Sequence, residues 1–327
     1  MARLTNNHGI DLSLAVWLAH DDYDYVDKEN YISVTTLIKP LRQIILPMRI
    51  PKDDSAPVDL MDRFRSRLGQ SIHAALEMAW TSHYQSSMKA LGYPQKIIDK
   101  VRVNPEQQEP DTLPVFTEIR EEREIEGFTI GGKFDLILEG RVRDLKMTSV
   151  WSYLKQKSVG QWRLQGSLYR WLNPEKVKHD ELFIQYLLLD WHNSGIKRDP
   201  NYPPIPVPTR SVDLLGYEET EHWVRNKLGL LKQYIGAPED QIPECSDEDL
   251  WRDDPKFKYY SDPAKAAKGG RSTKNFDNQA DAEIHKANLG KGAIVTVPGL
   301  VRACNYCPAA PICSQFQRMF AAGLIAE

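Results

Sequence analysis

An alternating segment from residue 115 to residue 147 constrains the fold of this chain more than any other feature. Apolar and polar residues alternate along VFTEIREEREIEGFTIGGKFDLILEGRVRDLKM, and a two-residue period is typical of β-strands. Glu-Gly pairs at residues 126–127 and 139–140 interrupt the alternation and predict turns. The segment therefore predicts three consecutive antiparallel strands.

Helical sequence lies on both sides of these strands. Between residues 59 and 80, apolar residues recur every three or four positions, which predicts a helix that contains His73. Residues 152–172 predict a second helix, and the run ELFIQYLLLDW after it predicts a strand buried on both faces. This order of elements favours an α/β protein with a mixed central sheet flanked by helices.

Three regions are expected along the 327 residues: an N-terminal extension (1–58) that packs on the core, a core (59–238) and a C-terminal metal- or cluster-binding segment (239–327). The formal net charge of −3 gives no general attraction to nucleic acid, so any surface that binds it must be local. We expect a cytoplasmic protein without membrane contact, because no apolar run approaches the roughly 18 residues of a membrane helix.

Two aspartates lie on neighbouring predicted strands. Asp144 and Lys146 are two residues apart and share a face of their strand, with Leu145 directed into the core. Asp135, on the preceding strand, can reach the same face. Adjacent carboxylates raise one another's pKa unless a cation lies between them, and a hard divalent ion with oxygen ligands would resolve that conflict. Taken alone, the Asp-x-Lys triplet is better explained by a structural salt bridge on a solvated sheet face.

The order of several motifs is more informative than any one of them: His73 in GQSIHAALE, Asp135 in GGKFD, Asp144 and Lys146 in RDLK, and Gln165 with Tyr169 in QGSLY. Between residues 60 and 195 this set resembles the RecB-type branch of the PD-(D/E)XK nucleases, most of all the tailed-phage exonucleases. The resemblance implies a restriction-endonuclease-like core and a metal-dependent deoxyribonuclease that acts on DNA ends or single strands. It also implies a phage origin, with a recombination or replication partner in the host cytoplasm.

The same resemblance implies a ligand set for a Mg²⁺ or Mn²⁺ ion. Asp135, Asp144 and the backbone carbonyl of Leu145 would bind the ion, and His73 would complete the site from its helix. A water molecule activated by the metal would then attack the phosphodiester.

Further residues receive supporting roles from the resemblance. Lys146 would orient the attacking water and offset charge on the phosphate, and Gln165 and Tyr169 would hydrogen-bond near the site or to the DNA backbone. The sequence leaves the roles of two glutamates undecided: Glu77 could be a structural partner, and Glu118 could be an additional carboxylate near the metal.

Three of the four cysteines, Cys304, Cys307 and Cys313, lie within ten residues in CNYCPAAPIC, and Cys245 is the natural fourth ligand of a shared site. Four thiolates bind either a [4Fe-4S] cluster or a Zn²⁺ ion, so ligand number does not decide between them. The C-x₂-C-x₅-C spacing is similar to that of iron-sulfur RecB-type nucleases. Those proteins take the lone cysteine from upstream of the core, whereas Cys245 follows it, which keeps zinc open.

A basic segment, KAAKGGRSTK, lies between Cys245 and Cys304 and carries Lys265, Lys268, Arg271 and Lys274. It fits either a solvated loop or a loop that contacts DNA phosphates. Two other functions also remain open: a metal-stapled DNA-binding adaptor with a vestigial nuclease site, and a structure-selective endonuclease or junction resolvase.

Overall fold

The structure is a computed structural model that describes residues 3–21, 23–51 and 57–326. Its helices are α1 (Leu12–Ala19), α2 (Val34–Leu37), α3 (Leu41–Met48), α4 (Leu60–Ser82), α5 (Tyr84–Ala90), α6 (Gln95–Ile98), α7 (Val150–Lys155), α8 (Val159–Leu172), α9 (Asn193–Ile196), α10 (Tyr217–Tyr234), α11 (Pro263–Ala267), α12 (Gln279–Leu289) and α13 (Ser314–Ala321). Its strands are β1 (Leu4–Thr5), β2 (Tyr31–Ser33), β3 (Val58–Asp59), β4 (Val101–Val103), β5 (Leu113–Thr117), β6 (Arg120–Ile125), β7 (Phe128–Lys133), β8 (Leu136–Leu138), β9 (Arg141–Thr148), β10 (Glu181–Leu188), β11 (Thr209–Asp213), β12 (Lys256–Tyr260), β13 (Lys274–Phe276) and β14 (Ala293–Val297). Among the helices of these described residues, none is long and apolar enough to cross a membrane.

Two compact units make up the chain. One comprises Met1–Ile38 with Lys52–Gly229, and the other comprises Lys39–Pro51 with Leu230–Glu327. The three-region organisation proposed from the sequence, with limits at 58/59 and 238/239, stays a prediction.

The larger sheet of the first unit has six strands in the order β11-β10-β9-β8-β5-β4. It is mixed, because β10 with β9 and β5 with β4 are parallel pairs while its other neighbours are antiparallel. Helix α8 packs on β9 and β11, and α4 and α5 contribute Trp80, Tyr84 and Met88 to a core cluster on β5 and β8. The α/β class with a mixed sheet flanked by helices is therefore confirmed.

The number of strands in the alternating segment was predicted wrongly. Residues 113–148 form five strands rather than three, and β6 and β7 belong to a separate sheet with β2, in the order β2-β7-β6. The chain passes from the larger sheet to the smaller one at residues 118–119 and returns at residues 134–135. The residues on either side of each crossing are β-strand, so the two-residue period continues past the crossing and does not mark it.

Both predicted Glu-Gly turns are present. Ile125 pairs with Phe128, and Leu138 pairs with Arg141, so each hairpin closes through two residues. All four turn residues have positive φ, between 51° and 83°. This is the requirement of a type I′ turn, which matches the twist of the strands it joins.

Strand β10 is not buried on both faces, as its apolar sequence suggested. Its residues alternate between buried and half-buried along the whole strand. Phe183, on the less buried face, lies under the guanidinium groups of Arg141 and Arg143 at 5.8 and 5.1 Å from its ring centre. Cationic side chains of β9 therefore cover a face that a helix was expected to cover.

The second unit contains a three-stranded antiparallel sheet in the order β13-β12-β14. Helix α12 packs on it through His285, whose ring contacts Tyr259 and Phe276 at 4.9 and 5.1 Å. A separate core cluster of this unit includes Cys245 and Cys304 together with Leu250, Val301 and Met319.

Candidate active site and cysteine group

The β8–β9 hairpin sets two carboxylates side by side. Leu136 pairs with Arg143, and continuing that register by one residue places Asp135 opposite Asp144. Opposite residues of an antiparallel pair share a face, so the two side chains are neighbours. Both line a cavity of about 470 Å³ in the first unit, and Asp144 is only 3% exposed. The hairpin thus builds a buried pair of like charges.

A histidine and a second carboxylate approach Asp135 from other elements. His73 Nδ1, on α4, lies 3.4 Å from Asp135 Oδ1 and 3.3 Å from Glu118 Oε1. One ligand atom from each of His73, Glu118 and Asp135 falls within 4.8 Å of the other two. Such a set of nitrogen and oxygen atoms can hold a divalent cation.

The two crossings between the sheets bring Glu118 and Asp135 together. Glu118 follows β5 in a left-handed conformation with φ of 53°, and its backbone N–H donates to the Asp135 carbonyl at 3.2 Å. The Thr117 hydroxyl donates to the same carbonyl at 3.1 Å. A non-glycine residue with positive φ is strained, and such strain is concentrated at functional sites.

Burial and the charge of Asp144 raise the pKa of Asp135 to about 7, although the Leu145 N–H donates to Asp135 Oδ2 at 2.7 Å. The hydrogen bond with Glu118 raises the pKa of His73, against the opposing effect of burial. Burial alone would raise the pKa of Glu118, but His73 and Lys133, whose Nζ is 2.7 Å from Glu118 Oε2, leave it lowered. Near neutral pH the site therefore holds a proton that a bound cation would displace.

Lys146 lies beside Asp144 in the same cavity and begins a chain of hydrogen bonds. The Lys146 Nζ atom lies 2.8 Å from Asp144 Oδ2 and donates to Gln165 Oε1 at 3.1 Å. Gln165 Nε2 in turn donates to the Tyr169 hydroxyl at 2.8 Å. Apart from the nearby ammonium, Asp144 Oδ2 accepts no hydrogen bond from the described residues, although it is buried. This buried oxygen thus depends on the Lys146 ammonium, and a bound cation would add a second positive partner.

The structure places every predicted active-site residue at one cavity: His73, Asp135, Asp144, Leu145, Lys146, Gln165 and Tyr169. Glu77 lines the same cavity, and Glu118, left open by the sequence, contacts His73 directly. Lys133 was missed, because its partner Glu118 lies in the crossing between β5 and β6 and no local pattern links the two residues. The orientation of Leu145 was predicted wrongly: it is half-buried, while Asp144 points to the more buried side of β9.

All four cysteines line one small cavity of the second unit, and no disulfide joins them within the described residues. Gln315 fixes Cys245 next to the C-terminal cysteines, because its side chain accepts from the Cys245 N–H at 2.9 Å and donates to the Cys245 carbonyl at 2.8 Å. Burial raises the pKa of Cys245 to about 12 and that of Cys304 to about 11, and the neighbouring cysteines add to both shifts. Stable thiolates here would require a metal.

Arg42 adds a buried positive charge beside this cysteine group. Its guanidinium is 2% exposed, pairs with the Glu239 carboxylate and donates to the Ile242 carbonyl at 2.7 Å. It also lies 3.7 Å from Cys313 Sγ, in hydrogen-bonding geometry. A hydrogen-bond donor beside a metal-binding sulfur orients that sulfur and alters its properties as a ligand. Arg42 could not be predicted from local sequence, because 271 residues separate it from Cys313.

Comparison with known proteins gives matches among solved structures alone. No family model matches the chain, and no curated protein does. The crystal structure of SSO0001 has a TM-score of 0.40 and 16% identity, over 67% of this chain and 85% of that one. A phage-related exonuclease from Haemophilus somnus has a TM-score of 0.25 and 15% identity, over 37% of this chain and 60% of its own. A candidate exonuclease from Eubacterium rectale has a TM-score of 0.29 and 11% identity, over 65% of this chain and 85% of its own.

At such TM-scores and identities, the function has to be argued from the geometry of this chain itself.

Proposed function

We propose that this protein is a divalent-metal-dependent DNA nuclease of the PD-(D/E)XK type that acts as an exonuclease. One observation carries the proposal: the ligand atoms of His73, Glu118 and Asp135 converge within 4.8 Å, in a cavity that also holds Asp144 and Lys146. Each carboxylate has a basic neighbour: Lys146 for Asp144 at 2.8 Å, Lys133 for Glu118 at 2.7 Å and His73 for Asp135 at 3.4 Å. Three carboxylates gathered at one cavity still repel one another, and a bound cation would stabilise that arrangement.

The residues present fit such an ion. Asp135 and Asp144, with the Leu145 carbonyl, would hold it, while His73 and Glu118 would complete its ligands. The raised pKa of Asp135, caused by burial and by the charge of Asp144, indicates repulsion that a bound cation would relieve. When bound, a cation of this kind supplies Lewis acidity towards phosphate oxygens and lowers the pKa of a coordinated water.

Side chains around the ion would supply the remaining parts of the reaction. The Lys146 ammonium offsets charge that builds up on the scissile phosphate, because it is the cation that projects beside the carboxylate pair. Gln165 holds that ammonium through its 3.1 Å hydrogen bond, and Tyr169 holds Gln165. Lys133 keeps Glu118 ionised and oriented towards His73.

The purified protein is expected to degrade end-labelled linear DNA with Mg²⁺ or Mn²⁺ and to lose that activity in EDTA. A closed circular single strand should resist it, since an exonuclease needs an end. Cleavage of the circle would identify a structure-selective endonuclease instead. Binding without cleavage under every metal condition would contradict the proposal and favour an adaptor with a vestigial site.

Metal binding is expected to depend on pH, because Asp135 must lose a proton to act as a ligand. With its pKa at about 7, the affinity for Mn²⁺ should be nearly constant above pH 8 and fall about tenfold per pH unit below 7. His73 contributes in the same direction, since its pKa is raised too. Calorimetric titration in two buffers of different ionisation enthalpy would count the protons released, about one per ion or more at pH 6. An affinity that stays flat between pH 5.5 and 8 would exclude Asp135 as a ligand.

We further propose a [4Fe-4S] cluster on Cys245, Cys304, Cys307 and Cys313. A tetrahedral zinc with bonds of about 2.3 Å would draw its four sulfurs to roughly 3.8 Å from one another. A four-iron cluster spreads its thiolates more widely, because each binds a different iron. All four cysteines line one small cavity, and the C-x₂-C-x₅-C spacing, similar to that of iron-sulfur RecB-type nucleases, favours the cluster.

Protein purified without oxygen is expected to be coloured, with about four irons and four acid-labile sulfides per chain. Replacing Cys245 with serine should lower the iron content and the thermal stability together, because the cluster contributes folding energy. A colourless protein with one zinc per chain would contradict the cluster.

A further inference from the structure

A small α/β lobe lies between Cys245 and Cys304 in the sequence. Residues 255–299, called the basic lobe below, contain β12, α11, β13, α12 and β14. They hold eight lysine and arginine residues against four aspartate and glutamate residues, a formal charge of +4 in a chain whose net charge is −3. The rest of the chain therefore carries a formal charge of −7, so positive charge is concentrated in this lobe.

The positive charges of the basic lobe gather at one end of its sheet. Tyr259 pairs with Lys274, and Tyr260 pairs with Ala293, so β12 ends where β13 and β14 begin. Helix α11 and its following turn leave from this end, and α12 returns to it. The basic end is defined by six residues: Lys265, Lys268, Arg271, Lys274, Lys286 and Lys291. The last two line a common cleft.

These six side chains are exposed and have no acidic partner among the described residues. By contrast, Lys256 at the opposite end of β12 forms an ion pair with Asp277. Two acids lie near the basic end: Asp262 accepts the Ala264 N–H at the start of α11, and Glu283, in the cleft with Lys286 and Lys291, accepts from the Gln279 side chain. A collection of unpaired like charges creates a local positive potential that favours a polyanion.

The backbone of the basic segment is fixed rather than loose. The Thr273 N–H donates to the Tyr259 carbonyl at 2.8 Å, and the Ser261 N–H donates to the Thr273 hydroxyl at 3.0 Å. The Gly270 N–H closes the turn after α11 on the Lys265 carbonyl at 2.9 Å. These contacts fix the backbone from which the lysines project, which favours a binding surface over a solvated loop.

We propose that the basic end of this lobe binds the phosphate backbone of DNA. The choice of DNA among polyanions rests on the proposed nuclease function. A catalytic cavity lined by carboxylates repels DNA, so the attraction must come from elsewhere in the chain. Lysines act as point charges that contact phosphates and not base edges, so the binding does not depend on the DNA sequence.

A triple variant, Lys265→Gln, Lys268→Gln and Lys274→Gln, tests the surface in the full-length protein. Its matched control is Lys89→Gln, Lys96→Gln and Lys197→Gln, which removes the same charge from exposed lysines outside the basic lobe. Anisotropy of a labelled oligonucleotide would be measured with Ca²⁺ in place of Mg²⁺ at 50, 100 and 200 mM salt. Melting temperatures of both variants verify folding.

The basic-end variant is expected to bind DNA at least tenfold more weakly at 100 mM salt. The slope of log affinity against log salt should fall by about two to three units, since each lost phosphate contact removes about 0.7 to 0.9. Cleavage at saturating DNA should be preserved while KM rises. Unchanged affinity and slope, or an equal loss in the control variant, would overturn the proposal.

The same measurements distinguish failure of the binding proposal from failure of the nuclease proposal. A protein that never cleaves but whose salt slope falls in the basic-end variant alone would keep the binding surface and lose the nuclease proposal. A protein that cleaves with both variants at wild-type KM would keep the nuclease and lose the binding surface.

Discussion

Replacing Lys146 with methionine is expected to lower the rate of DNA cleavage by about 10³-fold. Methionine keeps most of the volume and removes the charge that lies 2.8 Å from Asp144 Oδ2 and hydrogen-bonds to Gln165. Loss of one group that stabilises transition-state charge costs about 10²- to 10³-fold in other enzymes. Single-turnover cleavage of labelled DNA at saturating enzyme and Mg²⁺ measures the chemical step without the binding step.

Two controls separate this loss from unfolding. Lys155→Met removes an exposed lysine outside the cavity and should cleave at the wild-type rate. DNA binding by Lys146→Met in Ca²⁺ should stay within about threefold of wild type. A Lys146→Met protein that cleaves normally would remove Lys146 from the mechanism.

Replacing Asp135 with asparagine is expected to abolish cleavage and yet stabilise the metal-free protein at pH 8. The folded protein raises the pKa of Asp135 from 3.8 to about 7, so the carboxylate opposes folding as pH rises through this range. At about 1.4 kcal/mol per pKa unit, the cost of ionised Asp135 reaches about 4 kcal/mol at and above pH 7. Asparagine carries no charge and can still accept the Leu145 N–H.

Urea unfolding in EDTA at several pH values would measure whether Asp135→Asn raises the free energy of unfolding, as expected. The advantage of Asp135→Asn over wild type should be near zero at pH 4, grow up to pH 7 and stay level above it. Saturating Mn²⁺ should reverse the order, because the cation stabilises the wild-type site and not the variant. Glu106→Gln, an exposed carboxylate outside the cavity, should show no such dependence. Equal stability of wild type and Asp135→Asn at pH 8 would mean that the carboxylates do not repel.

Much of the candidate site could be predicted from local sequence. The type I′ turn at Glu139-Gly140 fixes the register of β8 and β9, and that register alone sets Asp135 opposite Asp144. Helical period placed His73 on α4 and Gln165 one turn before Tyr169 on α8. These features depend on contacts within a hairpin or within a helix, which periodicity and turn chemistry encode.

Other features depend on which elements meet in space, and local sequence does not encode that. Glu118 contacts His73 because the chain changes sheets at Glu118 in a left-handed conformation. Lys133 belongs to the site because it forms an ion pair with Glu118. The division of five strands between two sheets was missed for the same reason. Apolar content of β10 predicted burial on both faces, but arginine side chains can cover a phenylalanine as well as a helix can.

The buried guanidinium of Arg42 has a consequence for the order of events during synthesis. Its partners at residues 239, 242 and 313 leave the ribosome about 200 to 270 residues later, so α3 emerges long before the segments that surround it. The second unit therefore cannot mature as a nascent chain grows, whereas most of the first unit can. Loading of the proposed cluster therefore has to follow synthesis of the chain through Cys313.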